Sequence, residues 1–254
     1  MNLFFRKIGE GRPLVVLHGV FGSSDNLHTV SKTLAENNLA VYTLDARNHG
    51  QSPHDPELNY EAMARDLIEF LQKEELVNPI ILGHSMGGKT VMQFAQMSDN
   101  FEKLIIVDIA PRFYPTHHQH IIDGLMAIPI QEIKSRRDAE EIFAEYVPDF
   151  GERQFILKNI YRTEEGGFAW RINVPVITEE IYQVGAEIVS ERIIDKPVLF
   201  MRGSESSYIT DDDFKSIQKA YTNARLVTIQ GANHWIHATQ PDVFVETVLN
   251  FINE

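Results

Sequence analysis

The chain has 254 residues, of which 43% are hydrophobic and 23% charged, with a formal net charge of −13. This length allows one large core, or a core with a smaller inserted unit, and the composition is that of a folded globular protein. The acidic balance argues against a nucleic-acid partner, which needs a basic face to displace phosphate counterions, and against electrostatic docking on an anionic membrane surface. There is no cysteine, so disulfide and thiolate chemistry are excluded, and a reducing compartment fits. Met1-Asn2-Leu3-Phe4-Phe5-Arg6-Lys7 puts its charges after a very short apolar run, the reverse of a signal peptide. No apolar stretch approaches the roughly 18 residues that suggest a membrane span. The expectation is a cytoplasmic protein, a monomer or homodimer, with no integral membrane association.

In chain order, residues 2–8 read as an edge strand turned at Gly9 and Gly11. Residues 13–18 (PLVVLH), 40–45 (AVYTLD), 79–83 (PIILG) and 104–108 (LIIVD) are short runs rich in Val, Ile and Leu. Several are unbroken rather than alternating, which suits strands covered on both faces. Residues 60–75 carry Met63, Leu67, Phe70 and Leu71 at helical spacing, and residues 86–96 read similarly. From 112 to 192 the spacing is mostly helical, with loops expected at Gly151, Gly166-Gly167 and Pro175. Strand pattern resumes at 197–202 (PVLFMR) and 225–229 (RLVTI), followed by a helix over 242–252. This order predicts an α/β architecture with a mainly parallel, doubly wound sheet. Residues 1–111 and 193–254 are expected to form the core domain. Residues 112–192 are expected to form a helical cap, inserted after the sixth strand over the carboxyl edge where open α/β sheets bind ligands.

The chemistry concentrates where the strand at 79–83 runs into Gly83-His84-Ser85-Met86-Gly87 and then into a helical pattern. In such a sharp turn the serine hydroxyl projects from the sheet's carboxyl end, and the glycines let strand and helix approach closely. Ser85 is the expected nucleophile. A serine needs a base and donors for the developing oxyanion. His234, in Gly231-Ala232-Asn233-His234-Trp235 after the last strand, is the expected base, with His237 as the near alternative. The oxyanion donors are expected to be the N–H of Met86 and that of Val20, in His18-Gly19-Val20-Phe21-Gly22, with Phe21 as the fallback. His18 is expected to fix this loop rather than react.

Together, H-G-x-x-G after a strand, D-x-x-x-x-G-x-S from Asp45 to Ser52, G-x-S-x-G and a late G-x-x-H resemble the α/β-hydrolase superfamily over essentially the whole chain. In most members the acid that orients the base follows the strand after the cap, in a G-x-x-D pattern. Here Gly203-Ser204-Glu205-Ser206 places Ser206 at that position, which cannot orient an imidazolium by charge. Asp108, ending the strand before the cap, is the expected substitute, since some superfamily members carry the acid there. Glu205 is the next candidate, then Asp211 to Asp213, which otherwise read as helix-cap and first-turn acids. Asp45-Ala46-Arg47-Asn48-His49-Gly50-Gln51-Ser52-Pro53, Gly83 to Lys89 and Val107-Asp108-Ile109-Ala110-Pro111 resemble the bacterial YbfF-type esterases and a mitochondrial abhydrolase branch. That resemblance implies hydrolysis of a small-molecule carboxylic ester or acyl thioester, such as an acyl-CoA, with Asp108 as acid and a cap shaping an acyl pocket. A carbon–carbon bond hydrolase or lyase would keep the same three residues, and a non-catalytic ligand-binding member is the alternative of a different kind.

Arg47, Asn48 and His49 are expected to hold the loop between two strands. His117, His118 and His120 start a cap helix without an accompanying carboxylate set, so a rim role is expected rather than a metal site. Phe21, Tyr114, Tyr208, Trp170 and Trp235 are candidate pocket walls, as are Met126, Phe143 and Phe155. No phosphate-binding glycine loop opens a helix, and no metal or organic cofactor is expected.

Overall fold

The computed structural model describes all residues, 1–254. The first half of the chain runs through β1 (Phe5–Ile8), β2 (Arg12–Leu17), α1 (His28–Ala35), β3 (Leu39–Leu44), α2 (Tyr60–Lys73), β4 (Ile80–His84), α3 (Met86–Met97) and β5 (Lys103–Val107). The chain then leaves the sheet for α4 (Gln119–Ala127), α5 (Arg136–Phe143), α6 (Phe150–Leu157), β6 (Ile160–Arg162), β7 (Phe168–Trp170) and α7 (Val174–Val184). It returns through β8 (Val198–Gly203), α8 (Asp211–Ala220), β9 (Ala224–Ile229), α9 (Ile236–Thr239) and α10 (Pro241–Asn253). The seven-stranded sheet has the order β1-β3-β2-β4-β5-β8-β9. Only β1 is antiparallel to its neighbour.

The unbroken apolar runs become the central strands, buried along almost their whole length. Alternate residues face opposite sides, as the period of two requires. Leu14 and Val16 join Leu34, Phe244 and Val248 of α1 and α10, whereas Val15 and Leu17 join Leu67, Phe94 and the inserted helices. Register aligns the carboxyl ends that matter. Leu17 pairs with Gly83, His84 with Val107, and Val107 with Met201. Because β3 and β4 lie on opposite sides of β2, the loops leaving β2 and β4 diverge and open a crevice at the sheet's carboxyl edge.

Three expectations are corrected here. The insertion follows the fifth strand of the sheet, not the sixth, because β1 and four parallel strands are all that precede it. The inserted segment is not purely helical, since β6 and β7 pair as a hairpin turned at Gly166 and Gly167. Gly151 and Pro175 lie inside the first turns of α6 and α7 rather than in loops. The Asp149 side chain caps α6, accepting from Glu152 N–H, and a proline fits a first turn whose N–H groups lack intrahelical acceptors.

Candidate active site

Ser85 occupies the turn between β4 and α3 at φ 53°, ψ −116°, a conformation that costs a residue with a Cβ on the order of 1–3 kcal/mol. The turn is enforced by contact. A Cβ on Gly83 would stand 2.2 Å from the Gly87 carbonyl oxygen, and one on Gly87 would stand 2.6 Å from that of Leu17. The strain lifts the Ser85 hydroxyl off the strand end and leaves Met86 as the first residue of α3, where N–H groups have no intrahelical acceptor.

A continuous chain of contacts starts at that hydroxyl. His234 Nε2 lies 3.1 Å from Ser85 Oγ, and His234 Nδ1 lies 2.8 Å from Asp108 Oδ2. Asp108 follows β5 at φ 52° and is fully buried. Its other oxygen accepts from the Gly203 N–H at 3.1 Å, and Oδ2 also accepts from the Ser206 hydroxyl. Ser206 thus occupies the usual acid position and serves the carboxylate that reaches over from β5. The His234 carbonyl accepts from His84 Nε2 at 2.9 Å, and the Tyr208 ring stacks on the imidazole at 4.0 Å. Burial, then the charge on Asp108, pushes the Tyr208 phenol up to about 12, so it stays protonated. The other acid candidates lie elsewhere. Glu205 is exposed, Asp211 and Asp213 pair with Arg202 and Arg112, and the Asp213 side chain accepts from the N–H of the α8 cap residue Thr210. His237 faces His84 rather than Ser85.

The loop after β2 is set by two buried histidines. His18 Nδ1 donates to the Gly19 carbonyl at 2.8 Å, while its Nε2 accepts from Ala46 N–H at 3.0 Å. Gly19 O also accepts from Gly22 N–H at 3.0 Å. The carbonyl of the Gly19–Val20 peptide is therefore held from two sides, which directs the Val20 N–H the opposite way. That N–H has no acceptor within the protein. The Phe21 N–H, by contrast, donates to His49 Nε2 at 3.3 Å. Val20 thus presents an unpaired N–H and Phe21 does not. His49 must be neutral to accept this bond, and burial holds its pKa down at about 3.

A cavity of about 210 Å³ opens over Ser85. Val20, Phe21 and Trp235 wall it from the sheet side, and Ile121, Phe155 and Ile156 from the inserted helices. Tyr208 and the three histidines 117, 118 and 120 complete the rim. Tyr114 lines a smaller adjoining cavity that also reaches Ser85 and Met86, and its hydroxyl is spent on Ala110 N–H and the Tyr208 carbonyl. Phe143 is enclosed in the packing of the inserted segment, Met126 is exposed, and Trp170 lies on β7 away from the cavity. Lys89, one turn beyond Ser85 on α3, was not singled out from the sequence. It is fully buried, with Nζ on the carbonyls of Arg112 at 2.8 Å, Gly185 at 3.3 Å and Ala186, and it ties both ends of the inserted segment to α3. A lysine inside G-x-S-x-G-G-K carries no mark of this role, because its partners are backbone atoms far along the chain.

The mainly parallel sheet and the strand–turn–helix that carries Ser85 have the arrangement of the alpha/beta hydrolase family. This chain belongs to it, matching over residues 14–247. Among its relatives is the Escherichia coli strain K12 protein named esterase YbfF, 35% identical over 95% of this chain and 93% of that one. A Danio rerio protein named sn-1-specific diacylglycerol lipase ABHD11 is 37% identical over 96% of this chain and 79% of its own length. A solved structure titled marine microorganism esterase superposes with a TM-score of 0.95 at 43% identity, covering 98% of both chains.

Proposed function

We propose that this protein hydrolyses small carboxylic esters by acyl transfer to Ser85 and then to water. The observation that carries the reading is the unbroken path from Ser85 Oγ through His234 to Asp108 at the floor of the cavity. His234 takes the hydroxyl proton as Ser85 Oγ attacks the carbonyl carbon. Asp108 holds the ring so that Nε2 faces the serine, and stabilises the imidazolium once it forms. The N–H groups of Met86 and Val20 receive the oxyanion. His234 then protonates the leaving oxygen or sulfur, the acyl-enzyme remains, and water repeats the sequence with His234 as base. Every step is supplied by side chains and backbone of this chain. Residues 112–192 act as the cap that closes the acyl pocket from above. Acyl thioesters fit the same chemistry, but the cavity lining has no lysine or arginine and one carboxylate, Glu152, which favours uncharged leaving groups over polyanionic ones such as CoA.

Ser85→Ala is expected to abolish both p-nitrophenyl ester hydrolysis and labelling by a fluorophosphonate probe, with the thermal transition preserved. Full esterase activity in that variant would sink the mechanism. Comparing p-nitrophenyl acetate with acetyl-CoA on the wild type tests the preference for uncharged leaving groups.

A further inference from the structure

The loop that offers the Val20 N–H is gripped from two directions, and one grip comes from the inserted segment. Phe21 sits at φ 60°, in the left-handed region that a residue with a Cβ keeps only when its surroundings over-determine it. Its N–H is held by His49, from the loop after β3. Its carbonyl accepts from Asn159 Nδ2 at 2.7 Å. Asn159 precedes β6 and is buried. The same Nδ2 donates to the Ile156 carbonyl at 3.0 Å, and the Asn159 carbonyl accepts from Arg171 N–H at 2.8 Å, closing the base of the β6–β7 hairpin. At the hairpin's other foot, Asn173 donates its N–H to the Asn48 carbonyl at 2.9 Å and its Nδ2 to Asn48 Oδ1 at 3.0 Å. Asn48 is the residue before His49. The two feet of the hairpin therefore brace the two loops that meet at Phe21.

We infer that Asn159 is a positioning residue for the oxyanion site, making the aim of the Val20 N–H depend on the seating of the inserted segment. Releasing the Phe21 carbonyl lets its backbone leave the left-handed region. The Phe21–Gly22 peptide then turns, its Gly22 N–H loses its hold on the Gly19 carbonyl, and the Gly19–Val20 peptide that aims the Val20 N–H is left with the His18 grip alone. An amide displaced in this way still admits the planar ester but no longer meets the tetrahedral oxyanion, so the loss falls on turnover rather than on substrate binding. This inference rests on the hydrolase reading above.

Asn159→Asp keeps the side chain's size and removes the donor. At mildly alkaline pH, kcat for p-nitrophenyl acetate is expected to fall about 10- to 100-fold, less than the ~10²–10³ for deleting an oxyanion donor outright, with KM within about twofold. Affinity for a trifluoromethyl ketone, which forms a tetrahedral adduct on serine, should weaken in parallel. As pH falls the variant-to-wild-type ratio of kcat should rise, because the introduced carboxyl regains a donor on protonation. Asn159→Ser, too short to reach Phe21, should show the same split between kcat and KM, and decides the question if Asn159→Asp does not fold. A folded variant of either kind with kcat within about twofold of wild type, or with its loss wholly in KM, overturns the proposal. Ser85→Ala, run alongside, separates the two readings. Activity in that variant removes the hydrolase mechanism itself, whereas an inactive Ser85→Ala beside normal Asn159 variants removes only the role of Asn159.

Discussion

A carboxylate as enclosed as that of Asp108 persists only with donors around it. It has three, from Gly203, Ser206 and His234. Asp108→Asn turns an amide towards His234 Nδ1 and favours the wrong tautomer. Turnover is expected to fall about 10⁴-fold, as the same change does in a serine-protease triad. Ser206→Ala removes one charge-assisted bond, and a loss of about tenfold is expected. Glu205→Gln, on an exposed side chain, should change little. A damaging Glu205→Gln beside a mild Asp108→Asn would show that the acid is misassigned. The position of Asp108 was legible because it ends an apolar strand and because Ser206 leaves the usual place without a charge. The hydrogen bond from Ser206 was not, since it joins residues 98 apart and a serine in a loop looks like any other. What favours Val20 over Phe21 is His49, which takes up the Phe21 N–H and whose ring comes from a loop that the sequence marks only as structural.

At the scale of elements, the parallel strands of the sheet were legible as apolar runs, and their ends fall within a residue of expectation, whereas the edge strand β1 starts at Phe5, three residues later than expected. The inserted segment was less so. Its hairpin strands are three residues each, too short to show a period of two, and Phe143 and Met126 share an apolar character that hides which one faces inward. What fastens this segment is Lys89. Burial, then the nearby Arg112 charge, pushes its ammonium down to about 7, against an ordinary value of about 10.4. The unfolded chain therefore binds the extra proton between those two values. The cost of holding Lys89 is fully present below about pH 7, and its contribution to stability improves as pH rises towards about 10. In Lys89→Met the three carbonyls lose their donor, and the ends of the segment should become more sensitive to proteolysis. The gap in Tm between wild type and Lys89→Met should widen in favour of wild type as pH rises through that window. A gap independent of pH removes this account of Lys89.

Over the whole molecule, five histidines outside the proposed triad behave as neutral building parts. Burial holds His49 and His118 down at about 3 and His237 at about 4, and lowers His18 and His84 as well. An unfolded histidine titrates near 6.5. Between that value and the folded ones the unfolded chain binds more protons, so the stability these groups contribute is complete above about pH 6.5 and is lost as pH falls towards 3 to 4. A steep drop in Tm is expected across this range. His237 offers a clean check, because its Nδ1 is buried without a partner. In His237→Leu, Tm at neutral pH should hold or rise and the acid slope should become shallower. An unchanged slope would count against burial of neutral His237 as a source of acid sensitivity.

β5 and β8 are neighbours in the sheet, with Val107 beside Met201, and Asp108 and Ser206 meet through one hydrogen bond just past their ends. A carboxylate reaching His234 is thus defined by a point in space that two different strands can address. In this chain the carboxylate that reaches His234 comes from the end of the first of these strands, and a serine stands at the end of the second. What His234 Nδ1 requires of the fold is a location, and two neighbouring strand ends lie within reach of it.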